Sequence, residues 1–163
     1  ESLCGSVYRL SEKYVGAIII LENQDSLDEY ANKAVLINAP FSPELLESLF
    51  MTTTPLHDGA VIIRSTTIVS AATILPLADD SSQIKKSMGT RHRASLGISQ
   101  ITDGLSIVVS EEDGTVSIAR EGMITKGLKR EKFKGIIRSI FNPQPAVEIN
   151  KKKWHKLLAW IKR

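Results

Sequence analysis

The segment His57-Asp58-Gly59-Ala60 sets an imidazole, a carboxylate and a pliable backbone side by side, directly ahead of Val61-Ile62-Ile63. An aspartate can hold a cation, orient a hydroxyl or accept its proton. A neutral imidazole can give a ring nitrogen to a metal. Glycine lets the backbone turn tightly or approach a ligand closely. Taken alone, Asp-Gly is a common turn dipeptide, and the segment reads first as a turn. A second group, Gly89-Thr90-Arg91-His92-Arg93-Ala94-Ser95, puts two arginines around a histidine. Guanidinium groups donate to phosphate oxygens, often through two bonds at once. Thr90 reads as a helix N-cap, so free backbone N–H groups and the positive end of the helix dipole gather there, a ready phosphate seat. At 100° per residue, Arg91 and Arg93 diverge by about 200°. They would grip different phosphates, or one would reach across an interface; the plainer alternative is a solvated basic helix start. A third group, Ser110-Glu111-Glu112-Asp113-Gly114, supplies carboxylates, or is simply a polar hairpin turn. In an extended strand Glu111 and Glu112 face opposite ways, so one of the two would serve a site. A carboxylate near His57 makes a hard-oxygen and imidazole metal site suited to Mn²⁺, Mg²⁺ or Co²⁺. Neither a Walker A loop nor a GxGxxG fingerprint is present.

Regular elements must hold these groups. Leu3, Val7, Leu10 and Tyr14 recur at helical spacing and predict an opening helix that Gly16 ends. The apolar run 17–22 predicts a buried strand. Ser26 and Glu29 match a capping box for a helix over 27–33, followed by a strand at 34–38. Ser42 and Pro43 open a helix running to about Met51. Residues 60–64 and 67–75 predict an antiparallel pair, and 105–110 with 115–120 a hairpin turning at Asp113-Gly114. Between the pairs, 78–88 is polar and loop-like, and a helix runs from 90 to about Ile101. Phe133, Ile136, Ile137, Ile140 and Phe141 trace one face of a last helix, broken by Asn142-Pro143-Gln144-Pro145. Crossovers and hairpins together predict a mixed sheet with helices packed on it.

The 163 residues suit one domain with a real core, and 42% apolar with 24% charged residues is ordinary for a globular chain. A net charge of +3 does not by itself point to nucleic acid. The single Cys4 excludes an internal disulfide and fits a reducing compartment. No run reaches the roughly 20 apolar residues of a membrane span. The basic tail 151–163, with Trp154, Leu157, Leu158 and Ile161 on one side, reads as a helix docking on the body, with membrane-surface contact as the rarer alternative. The first residue is Glu1, so the chain reads as a fragment of a longer protein.

The motifs Pro55-Leu56-His57-Asp58-Gly59-Ala60, Leu75-Pro76-Leu77 and Gly89 to Ser99, in that order, resemble the diadenylate cyclase (DAC, or DisA N-terminal) domain family. The segments 16–22 and 107–114 fit the same pattern, so the resemblance spans roughly 3–141, and it is strongest toward the membrane-associated class. It implies an α/β fold, a twisted mixed β-sheet surrounded by α-helices. It divides the chain into a catalytic domain, 1–141, and a basic C-terminal extension, 142–163. It implies condensation of two ATP into cyclic di-AMP, with release of two pyrophosphates, by a face-to-face homodimer needing a divalent metal. Asp58, Gly59 and Ala60 take the catalytic motif's place, with Thr90, Arg91, His92, Arg93 and Ser95 on the phosphates. His57, Asp58 and Glu112 are metal-linked, Glu111 being the register alternative, and the backbone of Leu75 reads the adenine edge. Ile74 stands where an aromatic residue is expected in related enzymes. The resemblance also implies a cytoplasmic catalytic domain on a full-length protein at the cell membrane, anchored by segments outside this chain, and no nucleic-acid partner. The rival readings are a non-catalytic nucleotide-binding module of the same fold, and an RNA binder using the basic tail.

Overall fold

The computed structural model of the protein describes residues 1–79 and 88–142. It forms two compact units that part between Arg130 and Glu131. The first holds a seven-stranded sheet: β1 (Ala17–Leu21), β2 (Val35–Pro40), β3 (Ala60–Arg64), β4 (Thr67–Thr73), β5 (Leu105–Val109), β6 (Val116–Arg120) and β7 (Met123–Thr125). Their spatial order is β2-β4-β3-β1-β5-β6-β7. β1 and β3 run parallel, and every other neighbouring pair runs antiparallel. The mixed sheet expected from the sequence is therefore present. Among the described residues the helices are α1 (Ser2–Glu12), α2 (Asp28–Ala31), α3 (Pro43–Leu49), α4 (Thr90–Ile101) and α5 (Arg130–Phe141), with a 3-10 turn at Pro55–His57. The basic tail 151–163 lies outside the described residues.

The central strands β1 and β5 are buried at every residue, which is why they read as unbroken apolar runs instead of alternating ones. On one face, Ile18 and Ile20 of β1, with Ala60 and Ile62 of β3, pack with Ala94 and Ile98 of α4 and with Leu27 and Ala31 at α2. Ile19, between Ile18 and Ile20, points to the other face and is equally buried. Registers Ala17↔Val109, Ile18↔Ala60 and Ala60↔Thr73 bring the starts of β1 and β3 and the ends of β4 and β5 to one end of the sheet.

Several local signals resolve differently from expectation. α1 stops at Glu12, and Tyr14, at φ 54°, carries the left-handed step, so Gly16 is not its terminator. α2 spans only Asp28–Ala31 with Leu27 at its N-cap. There Glu22 reaches in to accept the Leu27 N–H at 2.9 Å, and Ser26 accepts from Asp28 N–H at 3.2 Å, so a tertiary carboxylate replaces the expected capping box. Ser42 does cap α3, accepting from Leu45 N–H at 3.1 Å. The strand begun at Thr67 ends at Thr73 and leaves Ile74 87% exposed. β7, with three residues, carries too short a pattern to be read from the sequence.

Candidate functional site

Gly89 caps α4 with extended backbone, and its carbonyl accepts Arg93 N–H at 3.1 Å. Thr90 is therefore the first helical residue and not the cap, and Gly89, with no side chain, leaves the first N–H groups of α4 without a side-chain cap. The helix N-terminus opens onto a cleft of about 350 Å³. Gly89, Thr90, Arg91 and His92 form one wall; Val109 and the β5–β6 turn, Ser110 to Asp113, form the other, with Thr115 and Lys126 closing the side. The turn is held by Gly114 N–H donating to the Ser110 carbonyl at 3.0 Å and by Asp113 accepting from Thr115 N–H at 3.0 Å. Glu111 and Glu112 lie in this turn, so strand alternation does not separate them, and both line the cleft. Glu111 takes Arg91 Nη1 at 2.9 Å.

The two arginines diverge as helical geometry requires. Arg91 lines the cleft, while Arg93 turns to the 74–79 segment, donating to the Ala78 carbonyl at 3.4 Å as Ala78 N–H donates to the Arg93 carbonyl at 3.0 Å. Arg93 Nε is buried without a partner among the described residues. Ser95, on the inner face of α4, is fully buried and donates to Ser106 Oγ of β5 at 2.6 Å. Its hydroxyl therefore ties helix to sheet, and Ser95 is not among the cleft-lining residues. Leu75 is buried with Ala94 and Ile98, which pins the loop after β4 to α4. His92 is held below its ordinary imidazole value, first by burial and then by Lys126, with Asp113 and Glu112 opposing. It is accordingly neutral near pH 7.

His57 and Asp58 sit at the mouth of β3, at the same end of the sheet as the cleft but not among its lining residues. β1 lies between β3 and β5, so the two mouths are separated by two strand spacings, roughly 10 Å. Asp58 is exposed. Gly59 has φ 125°, and a Cβ there would lie 2.6 Å from the Ala72 carbonyl carbon; only glycine fits this crossing of β3 and β4. His57 Nδ1 bonds the Thr54 carbonyl. Since a carbonyl can only accept, Nδ1 is the donor in this bond, which in the neutral imidazole leaves the Nε2 lone pair for a cation. Among the described residues no three His, Cys, Asp or Glu side chains converge as a metal cage. A hard cation that completes its shell with phosphate oxygens needs only one or two protein ligands, so the donor set fits an ion arriving with a nucleotide.

Lys126 escaped the sequence reading. It follows the three-residue β7, and only the fold carries it to the cleft. Gly16 escaped for a different reason: its spacing suggested a helix stop, whereas its place in the fold is beside Arg91 and Glu111.

A mixed sheet with a basic helix N-terminus facing an acidic turn defines an α/β nucleotide-binding class of domain. Comparison with known proteins narrows the class. The family model described as "DisA bacterial checkpoint controller nucleotide-binding" (DAC) matches residues 5–124, and the chain belongs to that family. It is 40% identical over 141 residues to cyclic di-AMP synthase CdaA of Bacillus subtilis, covering 86% of this chain and 51% of the relative. It is 42% identical over 137 residues to a diadenylate cyclase of Listeria monocytogenes, covering 84% and 50%. The chain thus spans about half the length of these relatives. A crystal structure of DacA from Staphylococcus aureus, a double mutant, superposes with TM-score 0.83 at 37% identity, covering 86% of this chain and 93% of that one. A Bacillus cereus protein described as a hypothetical membrane spanning protein gives TM-score 0.72 at 38% identity, covering 78% and 62%. Among the described residues no helix is long and apolar enough to cross a membrane.

Proposed function

We propose that this chain is the catalytic domain of a diadenylate cyclase, joining two ATP into cyclic di-AMP with release of two pyrophosphates. The observation that carries the reading is the separation of duties at one end of the sheet. A cationic helix terminus with Arg91 and Lys126 can cradle a triphosphate, while Asp58 stands apart at a neighbouring strand mouth. The names of the relatives, cyclic di-AMP synthase and diadenylate cyclase, support the same reading.

In each half-reaction a ribose 3′-oxygen forms a bond to the α-phosphorus of the other ATP, and the bond from that phosphorus to pyrophosphate breaks. Asp58 orients the 3′-hydroxyl and accepts its proton. Arg91 and Thr90, with the α4 N–H groups, hold phosphate oxygens; Arg93 and Ser95 brace that wall from the loop and sheet sides. A divalent cation, Mn²⁺, Mg²⁺ or Co²⁺, held in part by His57 and Glu112, would supply charge neutralisation on the triphosphate. Two nucleotides must each be nucleophile and electrophile, and a two-fold, face-to-face homodimer lets one site design play both parts. Holding them so converts a bimolecular encounter into a local one. Leu75, behind exposed Ile74, borders the base position through its backbone. The likeness to a protein described as membrane spanning supports a whole protein at the membrane, and ATP as the substrate would put this domain on the cytoplasmic side.

Incubation with ATP and each metal, followed by mass detection of cyclic di-AMP and pyrophosphate, tests the reading. ATP bound without turnover under every metal would instead mark a non-catalytic nucleotide-binding module.

A further inference from the structure

Gly16 lies one residue before β1, at the end of the sheet that carries the cleft. A Cβ built on it would come 2.8 Å from Arg91 Cζ, 3.0 Å from Arg91 Nη1 and 3.0 Å from Glu111 Oε2. These three atoms belong to the ion pair that bridges the cleft's two walls. The guanidinium therefore lies against the bare backbone of Gly16, and any side chain would push it away. Gly16 does not have a positive φ, so its backbone conformation is open to alanine. The contrast with Gly59 is sharp, because there the obstructing atoms are the backbone of Ala72 and Thr73. At Gly16 the obstructing atoms are the tips of two long side chains, which can swing aside without disturbing the fold.

We propose that Gly16 is a positioning residue: its missing side chain is the seat that aims Arg91 at the phosphates. This rests on the nucleotide reading above and adds a residue to it. The consequence is a separation of stability from function. Gly16→Ala removes backbone freedom from the unfolded chain without introducing a strained φ, so the folded domain melts at or above the wild-type temperature. The displaced guanidinium loses part of a charge-assisted contact, so Mg²⁺-ATP affinity falls by about 5- to 20-fold.

The experiment is a double-mutant cycle on the full chain. Mg²⁺-ATP binding is measured by calorimetry for wild type, Gly16→Ala, Arg91→Ala and the double variant, with a melting curve for each. If Gly16 acts through Arg91, adding Gly16→Ala to Arg91→Ala changes affinity no further. Wild-type affinity in Gly16→Ala, or an equal loss in both backgrounds, overturns the assignment. Failure of wild type itself to bind Mg²⁺-ATP would be a different result, removing the nucleotide reading and this inference with it.

Discussion

Gly97 sits in α4 where the chain between β4 and α4 crosses the helix, and it offers a perturbation whose sign is set by the structure. A Cβ at this position would lie 2.1 Å from the Pro76 carbonyl oxygen, 2.8 Å from Ala78 N and 2.9 Å from Leu77 C. All three are backbone atoms, so no rotamer change relieves the overlap. Helix propensity alone favours alanine over glycine by about 1 kcal/mol in a helix interior. Against that stand an overpacking cost of about 1–3 kcal/mol and the loosening of two bonds, Ala78 N–H to Arg93 O at 3.0 Å and Arg93 Nη2 to Ala78 O at 3.4 Å. Each such bond contributes about 0.5–1.5 kcal/mol. With the two bonds loosened and not lost outright, so that only part of their contribution goes, and the propensity gain subtracted, the net is a destabilisation of about 1–3 kcal/mol for Gly97→Ala. For a domain of this size that lowers Tm by roughly 3–10 °C. Differential scanning calorimetry reads it directly. Because the propensity gain acting alone would raise Tm, an unchanged or higher Tm refutes the claim that the 76–78 backbone is seated on Gly97. The same variant shifts Leu75, so ATP binding weakens alongside stability, unlike Gly16→Ala.

Asp58→Asn keeps side-chain size and exposure but cannot accept the 3′-hydroxyl proton; product formation falls to background while calorimetric ATP binding persists, and lost binding would reassign Asp58 to the cradle. Ser95→Ala leaves the fully buried Ser106 hydroxyl without its partner at 2.6 Å, which costs about 1–3 kcal/mol. Replacing both serines by alanine removes the orphan and recovers much of that loss in urea unfolding; a double variant no better than the single one would refute the pairing. Arg9 holds the Glu47 carboxyl below its ordinary value, Arg64 does so for Asp28, and the Thr115 N–H does so for Asp113. A depressed folded-state value means the unfolded chain takes up protons first, so this stability is present near neutrality and is lost as pH falls below about 4 through the folded values. Urea midpoints followed from pH 7 to 3 check the sign, and Glu47→Gln flattens the curve; equal acid sensitivity in that variant would refute the Arg9 contribution.

The sequence by itself determined the elements and the chemistry they bear. The run 17–22 announced a buried strand because a strand covered on both faces shows no alternation, and 60–64 and 105–110 announced themselves as members of antiparallel pairs by their β-branched runs and turns. Asp113-Gly114 announced its turn, and Ser42-Pro43 its helix start, because those signals act within four residues. The divergence of Arg91 and Arg93 followed from the helix period alone. Only the tertiary structure decided which of these groups meet. Glu111 and Glu112 share a wall because turn backbone abolishes strand alternation, and Lys126 joins them through a strand too short to predict. Ser95 spends its hydroxyl on a partner eleven residues away in sequence, on a strand under the helix. Gly16 changed meaning altogether, since what matters there is the space above its Cα, occupied by residues 75 and 95 positions further along the chain. Local propensity is written in neighbouring residues, whereas a cleft is made by distant ones, and contact between them is set only when the sheet closes its register.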